Sequence, residues 1–248
     1  MPLLRVLLVL LAAVAGAQEA NYKLVFEENF DGDKLNREVW EVRTGNKQRG
    51  NYTDEALDVK DGLLSITTWT ENKLDFTGFI KIKKAHYLAC RQGKVEGRIR
   101  FNPAPGVTTV FSQETETDDL NLPQVNIDIA VAFGYEKGAA YHTGVSRKNP
   151  DGPRKELAQK NTVTVGKFWH TYGVEWDDSG YRITLDGRTR MTIRNAEGSA
   201  TPRGIELGCS LPAREGAGPK GGYGPKDRSK SSFEVDWVKA WKYVPATK

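Results

Sequence analysis

The sequence predicts an all-β protein, built as an antiparallel sandwich or barrel. Short runs of residues alternate between apolar and polar with a period of two, as in strands that bury one face. Turn sequences such as PDG, DDSG and VKDG separate these runs. No window carries an extended apolar pattern at helical spacing, so little helix is expected.

Three segments carry the strand pattern most clearly. KVEGRIRF (94–101) places valine, glycine, isoleucine and phenylalanine on one face and four charged residues on the other. YRITLDG (181–187) repeats the alternation and ends in an Asp-Gly turn. FEVDWVKAWKY (233–243) alternates aromatic and aliphatic residues with charged ones. Many short strands of this kind are typical of sandwiches and barrels.

The chain is long enough for a leader and one β domain. Residues 1–17 have one positive charge, a short apolar stretch and small residues at Ala15 and Ala17, which predicts a signal peptide. Residues 18–248 are then a single domain, since β sandwiches of this length form one unit. The expected location is secreted or extracellular, or periplasmic in a Gram-negative bacterium. No run is long enough to span a membrane, and we expect a monomer.

Charge and cysteine content exclude few functions. The whole chain carries a formal charge of +4, and removing Arg5 with the leader leaves 35 basic and 32 acidic residues, or +3. This mild charge gives no reason to expect a nucleic-acid partner. Cys90 and Cys209 would form one disulfide in an oxidising compartment or remain two buried thiols, and both alternatives stay open.

Several catalytic motifs are absent from the sequence. The three histidines (His86, His142 and His170) lack metal-type spacing, which makes a histidine-based metal site improbable. There is neither a G-x-S-x-G elbow nor a P-loop. Zinc chemistry, serine-triad hydrolysis and phosphoryl transfer are therefore not expected.

Five segments together resemble family 16 of the glycoside hydrolases, the laminarinase and lichenase group. They are KLVFEENFDGDKLNREVW, GLLSITT, GKVEGRIRF, FWHTYGVEWDDSGYRITLDG and FEVDWVKAWKY, in the family's order, between Tyr22 and Tyr243. The resemblance implies a β-jelly roll of the concanavalin A-like kind, with two curved antiparallel sheets. Its concave face would hold a β-linked polysaccharide, a β-glucan or a sulfated galactan.

The resemblance also locates a degenerate catalytic motif. Family members hydrolyse with retention through a strand similar to E-x-D-x-x-E or E-x-D-x-E, in which both glutamates must be carboxyls. Here the matching segment reads NIDIAV. Asn126 stands at the nucleophile position, Asp128 is the one acid kept, and the acid/base position holds Val131 in the bulged form or Ala130 in the unbulged form.

The unbroken alternation of this segment predicts a regular strand. The residues Val125, Ile127, Ile129, Val131 and Phe133 would share the core face. Asn126, Asp128, Ala130 and Ala132 would share the cleft face. We therefore expect the catalytic bulge to have been lost together with the glutamates.

The resemblance implies further binding residues. The expected ligand-binding residues are Asn46, Asn126, Asp128, Tyr141 and His142. Thr108 and Ser112 stand where members carry stacking tryptophans, and Gln48 stands where an acid is usual. No cofactor is required; a structural calcium would use the Asp236 carboxylate and the Gly62 carbonyl. The six tryptophans are expected mostly in the core.

Three functions are open at this point. The preferred hypothesis is a secreted polysaccharide-binding protein, a pseudoenzyme in which hydrolysis is impaired. The second is an active retaining glycosidase with displaced carboxylates on Glu114, Glu116 or Asp128. The third is an interaction protein that no longer binds carbohydrate. Basic loops at 146–161 and 212–232 suggest that the glycan is anionic.

Overall fold

The computed structural model describes residues 21–47, 50–115, 124–134, 140–148, 154–157, 163–165, 167–194, 203–211, 219–229 and 231–245. Strands β1 to β20 are numbered along the chain. The predicted signal peptide lies outside the described residues, as do Gln48 and Glu116. No helix among the described residues is both long and apolar enough to cross a membrane.

The first sheet has eight antiparallel strands, one of which branches from the main path. Its path is β18 (Arg188–Arg194), β17 (Gly180–Leu185), β16 (His170–Asp177), β10 (Gly93–Phe101), β20 (Ser231–Tyr243), β6 (Leu63–Thr67) and β5 (Leu57–Lys60). β1 (Tyr22–Glu28) also pairs with β20. The alternating segments 94–101 and 233–243 are thus neighbours at the centre of this sheet.

The second sheet also has eight antiparallel strands. Its path is β14 (Arg154–Glu156), β13 (Ala140–Lys148), β12 (Gln124–Phe133), β11 (Thr108–Thr115), β19 (Arg203–Ser210), β9 (Phe79–Ile82) and β2 (Trp40–Val42). β15 (Val163–Thr164) pairs with β13. The strand that contains the segment NIDIAV, β12, is therefore central rather than at an edge.

A small third sheet lies at one end of the sandwich. It contains β3 (Gly45–Lys47), β4 (Gly50–Tyr52), β8 (Leu74–Thr77) and β7 (Trp69–Glu71). Short 3-10 helices at Asp54–Ala56, Lys84–His86 and Lys226–Arg228 connect strands. The Tyr52 hydroxyl is 3.4 Å from the Ser210 hydroxyl, which ties this sheet to β19.

One apolar core fills the space between the two large sheets. The inward residues of β10 and β20, such as Val95, Ile99 and Phe233, pack against inward residues of β11 and β19, such as Phe111 and Leu207. Fully removing side chains of this size from water contributes about 1.5–3 kcal/mol each. The prediction of an all-β sandwich of two antiparallel sheets is confirmed.

The structure shows the state of the two cysteines and the burial of the six tryptophans. Cys90 and Cys209 are both free thiols in the structure. Burial raises the pKa of the Cys209 thiol to about 12, so it stays neutral. Trp40, Trp69 and Trp176 are buried, whereas the other three tryptophans are only partly buried, so the core expectation is wrong for half of them.

A glycine substitution tests how tightly β19 packs against β9. A Cβ at Gly208 would lie 2.3 Å from the Phe79 ring and 2.9 Å from the Phe79 Cα. Because backbone cannot move aside as a flexible side chain can, we expect Gly208→Ala to lower the free energy of unfolding by about 1–3 kcal/mol. Urea denaturation measures this change.

Gly144→Ala is the matched control, since a Cβ there meets nothing within 4 Å. It should change stability by no more than about 0.5 kcal/mol. Equal destabilisation by both substitutions would contradict the packing of Phe79 over β19.

Candidate functional site

A β-bulge interrupts β12 within the segment NIDIAV. Opposite β11, Ala130 pairs with Phe111 and Asp128 pairs with Ser112, so Ile129 is an extra residue. Opposite β13, Asp128 pairs with Gly144 and Val131 pairs with His142, which confirms the irregularity on the other side. The expectation that the bulge had been lost is therefore wrong.

The bulge changes which residues face outward after Asp128. Ile129, Ala130 and Ala132 are fully buried in the core. Val131 and Phe133 instead line a cavity together with Asp128. An extra residue in one strand rotates the following side chains to the other face, and this explains the exchange. Of the two residues that the resemblance offered for the acid/base position, Val131 lies at the cavity and Ala130 lies in the core.

The cavity has a volume of about 380 Å³ and opens on the outer face of the second sheet. β12 contributes Asp128, Val131 and Phe133, β13 contributes residues 142–146, and β14 contributes Glu156. Gly144 lies opposite Asp128 and leaves the space above β13 open. Apolar walls with a few polar groups are the usual composition of a small-ligand site.

Asn126 and Asp128 form a hydrogen-bonded pair next to this cavity. The Asn126 Nδ2 donates to Asp128 Oδ1 over 3.2 Å, as expected for residues i and i+2 on one strand face. The Thr143 hydroxyl donates to the Asp128 carbonyl oxygen over 2.7 Å and holds the bulge. Position 131 holds a valine, so Asp128 is the one carboxyl in the segment NIDIAV.

The other expected ligand-binding residues are only partly brought together. His142 lines the cavity, and its ring lies 5.0 Å from the Phe133 ring. Tyr141 does not, because it is the next residue on β13 and so points into the core, where it is fully buried. Asn46 is exposed on β3 and pairs with Asn51 in the small sheet, so it does not line the cavity either.

Two further carboxyls lie on the outer face of the second sheet, which carries the cavity and is called the cleft face below. Ser112 pairs with Asp128 on one side and with Glu206 on the other, and Glu114 pairs with Asn126. Residues paired across strands share a face, so Glu114 and Glu206 point outward as Asp128 does. The Ser112 hydroxyl is 3.4 Å from Glu206 Oε2.

Glu206 is an unusually placed acid. Its side chain is only 8% exposed, and its Oε1 lacks a hydrogen-bond partner, although an Arg43 guanidinium nitrogen lies 3.9 Å away. Burial raises the pKa of the Glu206 carboxyl to about 6, and the nearby Glu114 carboxylate adds to the shift. Lys81, Arg43 and the Ser112 hydroxyl lower it again by smaller amounts.

The expected calcium site has one competing interaction. The Asp236 carboxylate accepts a hydrogen bond from the Arg98 guanidinium, with which it forms an ion pair. Gly62 lies near the Asn29 carbonyl and the Asp31 carboxylate. No cluster of three or more His, Cys, Asp or Glu residues suited to a metal occurs in the described parts of the chain. A calcium ion would have to displace Arg98 from Asp236, so calcium stays a prediction that this arrangement does not favour.

Glu156 and Glu206 were not identified from the sequence. Glu206 is the single acid in GIELGCS, an otherwise apolar and small run, and this contrast is the signal that could have indicated it. Glu156 lies within the basic segment 146–161, and only its pairing with Ser146 brings it to the cavity. No local pattern marks it.

Comparison with known proteins finds one family profile and one relative of similar sequence among its matches. The profile described as Glycosyl hydrolases family 16 matches residues 44–239. A β-glucanase of Fibrobacter succinogenes is 27% identical over 197 residues, which are 77% of this chain and 53% of that protein. The chain thus spans about half the length of that relative.

Two solved structures show a similar fold. An endo-β-1,3-glucanase of Pyrococcus furiosus has a TM-score of 0.69 at 17% identity, over 91% of this chain and 96% of that one. An immunostimulatory antigen and pseudo β-1,3-glucanase of Mycobacterium tuberculosis has a TM-score of 0.71 at 19% identity, over 90% and 99%. At these identities the similarity concerns the fold alone.

The pKa of Glu206 predicts a pH dependence of stability. A buried carboxyl with a raised pKa keeps its proton in the folded chain between about pH 4.5 and 6, where the unfolded chain has lost it. This contribution to the free energy of unfolding is therefore present below that window and is lost as the pH rises through it. The loss is on the order of 1–2 kcal/mol.

Glu206→Gln should remove this pH-dependent difference, measured by denaturation at pH 4.5 and 7. Glu71→Gln, at an exposed position on β7, is the control and should retain it. An unchanged pH dependence in Glu206→Gln would contradict the assignment to this carboxyl.

Proposed function

Because the chain belongs to family 16 of the glycosyl hydrolases, we propose that it binds a β-linked glucan in the cavity of the second sheet without hydrolysing it by the family's reaction. One observation carries this proposal: the bulge of β12 places Asn126, Asp128 and Val131 on the cleft side, where the family reaction needs two glutamates. The β-glucanase relative supports a β-glucan as the ligand.

The chemistry of these residues accounts for the loss of hydrolysis. Retaining hydrolysis needs one carboxylate to attack the anomeric carbon and one carboxylic acid to protonate the leaving oxygen. The Asn126 amide cannot form the glycosyl ester, and Val131 has no proton to donate. Losing the general acid alone typically costs about 10² to 10⁴-fold in rate.

The cavity keeps features that suit a sugar. Its volume of about 380 Å³ falls within the range of about 300 to 1,000 Å³ that is usual for small-ligand sites. Val131 and Phe133 supply an apolar wall, and Asp128, Ser146 and Glu156 supply polar groups. The neighbouring amide of the β12 motif both donates and accepts hydrogen bonds, which suits a hydroxyl-rich ligand.

Hydrolysis by displaced carboxyls is the second candidate function. It is favoured by Glu114 and Glu206, which share the outward face with Asp128, and by the raised pKa of Glu206, which suits a proton donor. Against it, Glu206 Oε1 is buried beside Arg43 rather than open to the cavity. A rate that Glu206→Gln abolishes would support this candidate.

An anionic glycan and export remain narrower proposals. Of the basic loops that suggested an anionic ligand, the structure describes residues 146–148, 154–157, 219–229 and 231–232. The described cleft face carries Glu114, Asp128, Glu156 and Glu206, but also Lys81, which pairs with Glu206, and Lys148, which shares a face of β13 with Ser146. These mixed charges do not select an anionic ligand. We prefer an uncharged glucan because the similar protein is a β-glucanase. The leader-like residues 1–17 support export.

One experiment tests the proposed function. Titrate the protein with short soluble β-1,3- and β-1,4-glucan oligosaccharides and a sulfated galactan oligosaccharide by calorimetry, and measure new reducing ends in the same samples. We expect binding of a neutral oligosaccharide without cleavage above the buffer blank. Asp128→Ala should weaken that binding about tenfold, because it removes a charged hydrogen-bond partner.

Glu71→Gln is the matched surface control and should bind as the parent does. Cleavage by the parent protein, or the absence of any oligosaccharide binding, would each refute the proposal. Tighter binding of the sulfated oligosaccharide that weakens with salt would favour the anionic ligand instead.

A further inference from the structure

Three of the six tryptophans lie on the outer face of the first sheet, on the side of the sandwich away from the cavity. Trp237 and Trp241 lie on β20, and Trp169 immediately precedes β16. All three are partly exposed, in contrast to the fully packed Trp176 on the inner face of β16. Large aromatic side chains left at a surface usually mark a contact site, since burying them would stabilise the fold further.

These tryptophans form one continuous strip with the charged residues of β10. Trp241 pairs directly with Lys94, and Trp237 pairs directly with Arg98. The Arg100 guanidinium lies 4.9 Å from the centre of the Trp169 ring. We call this surface the outer strip; it comprises Tyr22, Lys94, Glu96, Arg98, Arg100, Trp169, Trp237, Lys239, Trp241 and Tyr243.

The strip is long and straight because it follows a strand. Trp237 and Trp241 are four residues apart on β20, a distance of about 14 Å at the rise of an antiparallel strand. Beyond Trp241 the apolar surface continues over Leu24, which is 42% exposed, and the Tyr22 and Tyr243 rings, whose centres are 5.9 Å apart. A linear row of rings suits an extended chain rather than a compact ligand.

The rings are held in place by cations. The Lys94 ammonium lies 4.3 Å from the centre of the Trp241 ring, and the Lys239 ammonium lies 5.2 Å from that of Trp237. Such cation–π contacts fix the orientation of an indole on a rigid sheet. A preorganised aromatic surface loses less entropy when it binds.

The charges of the strip cancel, which restricts the chemistry of its ligand. Lys239 pairs with Glu27 over 2.7 Å and Lys94 pairs with Glu96 over 3.7 Å. Arg98 pairs with Asp236 and Arg100 pairs with Glu234. The four cations of the strip are thus balanced by four carboxylates, three of which border the strip. Such a surface has no net attraction for a polyanion, but it offers many donors and acceptors to a ligand rich in hydroxyls.

We propose that the outer strip is a second binding surface for an extended, uncharged β-linked glucan, separate from the cavity of the second sheet. The proposal rests on the proposed function, since it assumes that β-glucan is the ligand of this chain. Two surfaces on opposite faces of the sandwich would let one molecule contact two glucan chains, or hold an insoluble glucan while the cavity samples a free end.

The test compares retention on an insoluble β-1,3-glucan with calorimetric binding of a short β-1,3-oligosaccharide. The double variant Trp237→Ala/Trp241→Ala should be retained at least about tenfold less strongly, because it removes the two central rings. Its affinity for the short oligosaccharide should be unchanged, since the cavity is intact. Asp128→Ala should bind the short oligosaccharide more weakly and should be retained on the insoluble glucan as the parent is.

Leu74→Ala is the control, because it removes another half-exposed apolar side chain, from the small sheet. If the double variant is retained as well as the parent, the strip proposal is overturned and cavity binding is unaffected. If the parent binds the oligosaccharide in the cavity but is not retained on the insoluble glucan, the strip proposal also fails. If neither ligand binds the parent, both proposals fail.

A second measurement needs no variant and so does not depend on folding of the mutants. N-bromosuccinimide oxidises accessible indoles, and peptide mass spectrometry locates the modified tryptophans. Insoluble glucan should lower the oxidation of Trp237 and Trp241 several-fold. Equal oxidation with and without glucan would overturn the proposal.

Discussion

The bulge in β12 is the constraint on which the rest of the site depends. One extra residue, Ile129, turns Val131 and Phe133 outward beside Asp128 and sends Ala130 and Ala132 into the core. Both consequences are useful to the fold, because the alanines fill the space between the sheets while the larger side chains wall the cavity. Packing therefore stabilises the bulge although position 131 holds a valine.

The strands could be predicted from the sequence because alternation reports burial directly, and the segments 94–101 and 233–243 lie where it indicated. The bulge could not be predicted in this way. An alternating apolar pattern continues through Val131 and Phe133, and nothing local shows that two of those side chains meet a cavity instead of the core. The misplacement of Tyr141 has a similar origin, since proximity along β13 was not enough to decide its face.

Long-range pairing explains what the sequence concealed elsewhere. Glu206 reaches the row of Ser112 and Asp128 only through the register of β19 on β11, although some ninety residues separate it from Ser112 along the chain. Burying this carboxyl lowers the stability of the fold, because its Oε1 has no hydrogen-bond partner. Packing or ligand binding must offset that loss of stability. The two faces of the sandwich thus differ in chemistry: the cleft face has a cavity and a buried acid, and the opposite face is aromatic with paired charges.

The role of the bulge is tested most directly by restoring the missing carboxyls. In Asn126→Glu/Val131→Glu the two acids would stand on either side of Asp128 on the cleft face. This variant should hydrolyse β-1,3-glucan, and the measurement is the formation of new reducing ends. Asn126→Glu/Val131→Gln, which lacks only the proton donor, should remain about 10² to 10⁴-fold slower. If the diglutamate variant folds and binds glucan but is no more active than this control, alignment by the bulge is not sufficient for the reaction. The residues at positions 126 and 131 would then not account for the proposed absence of hydrolysis.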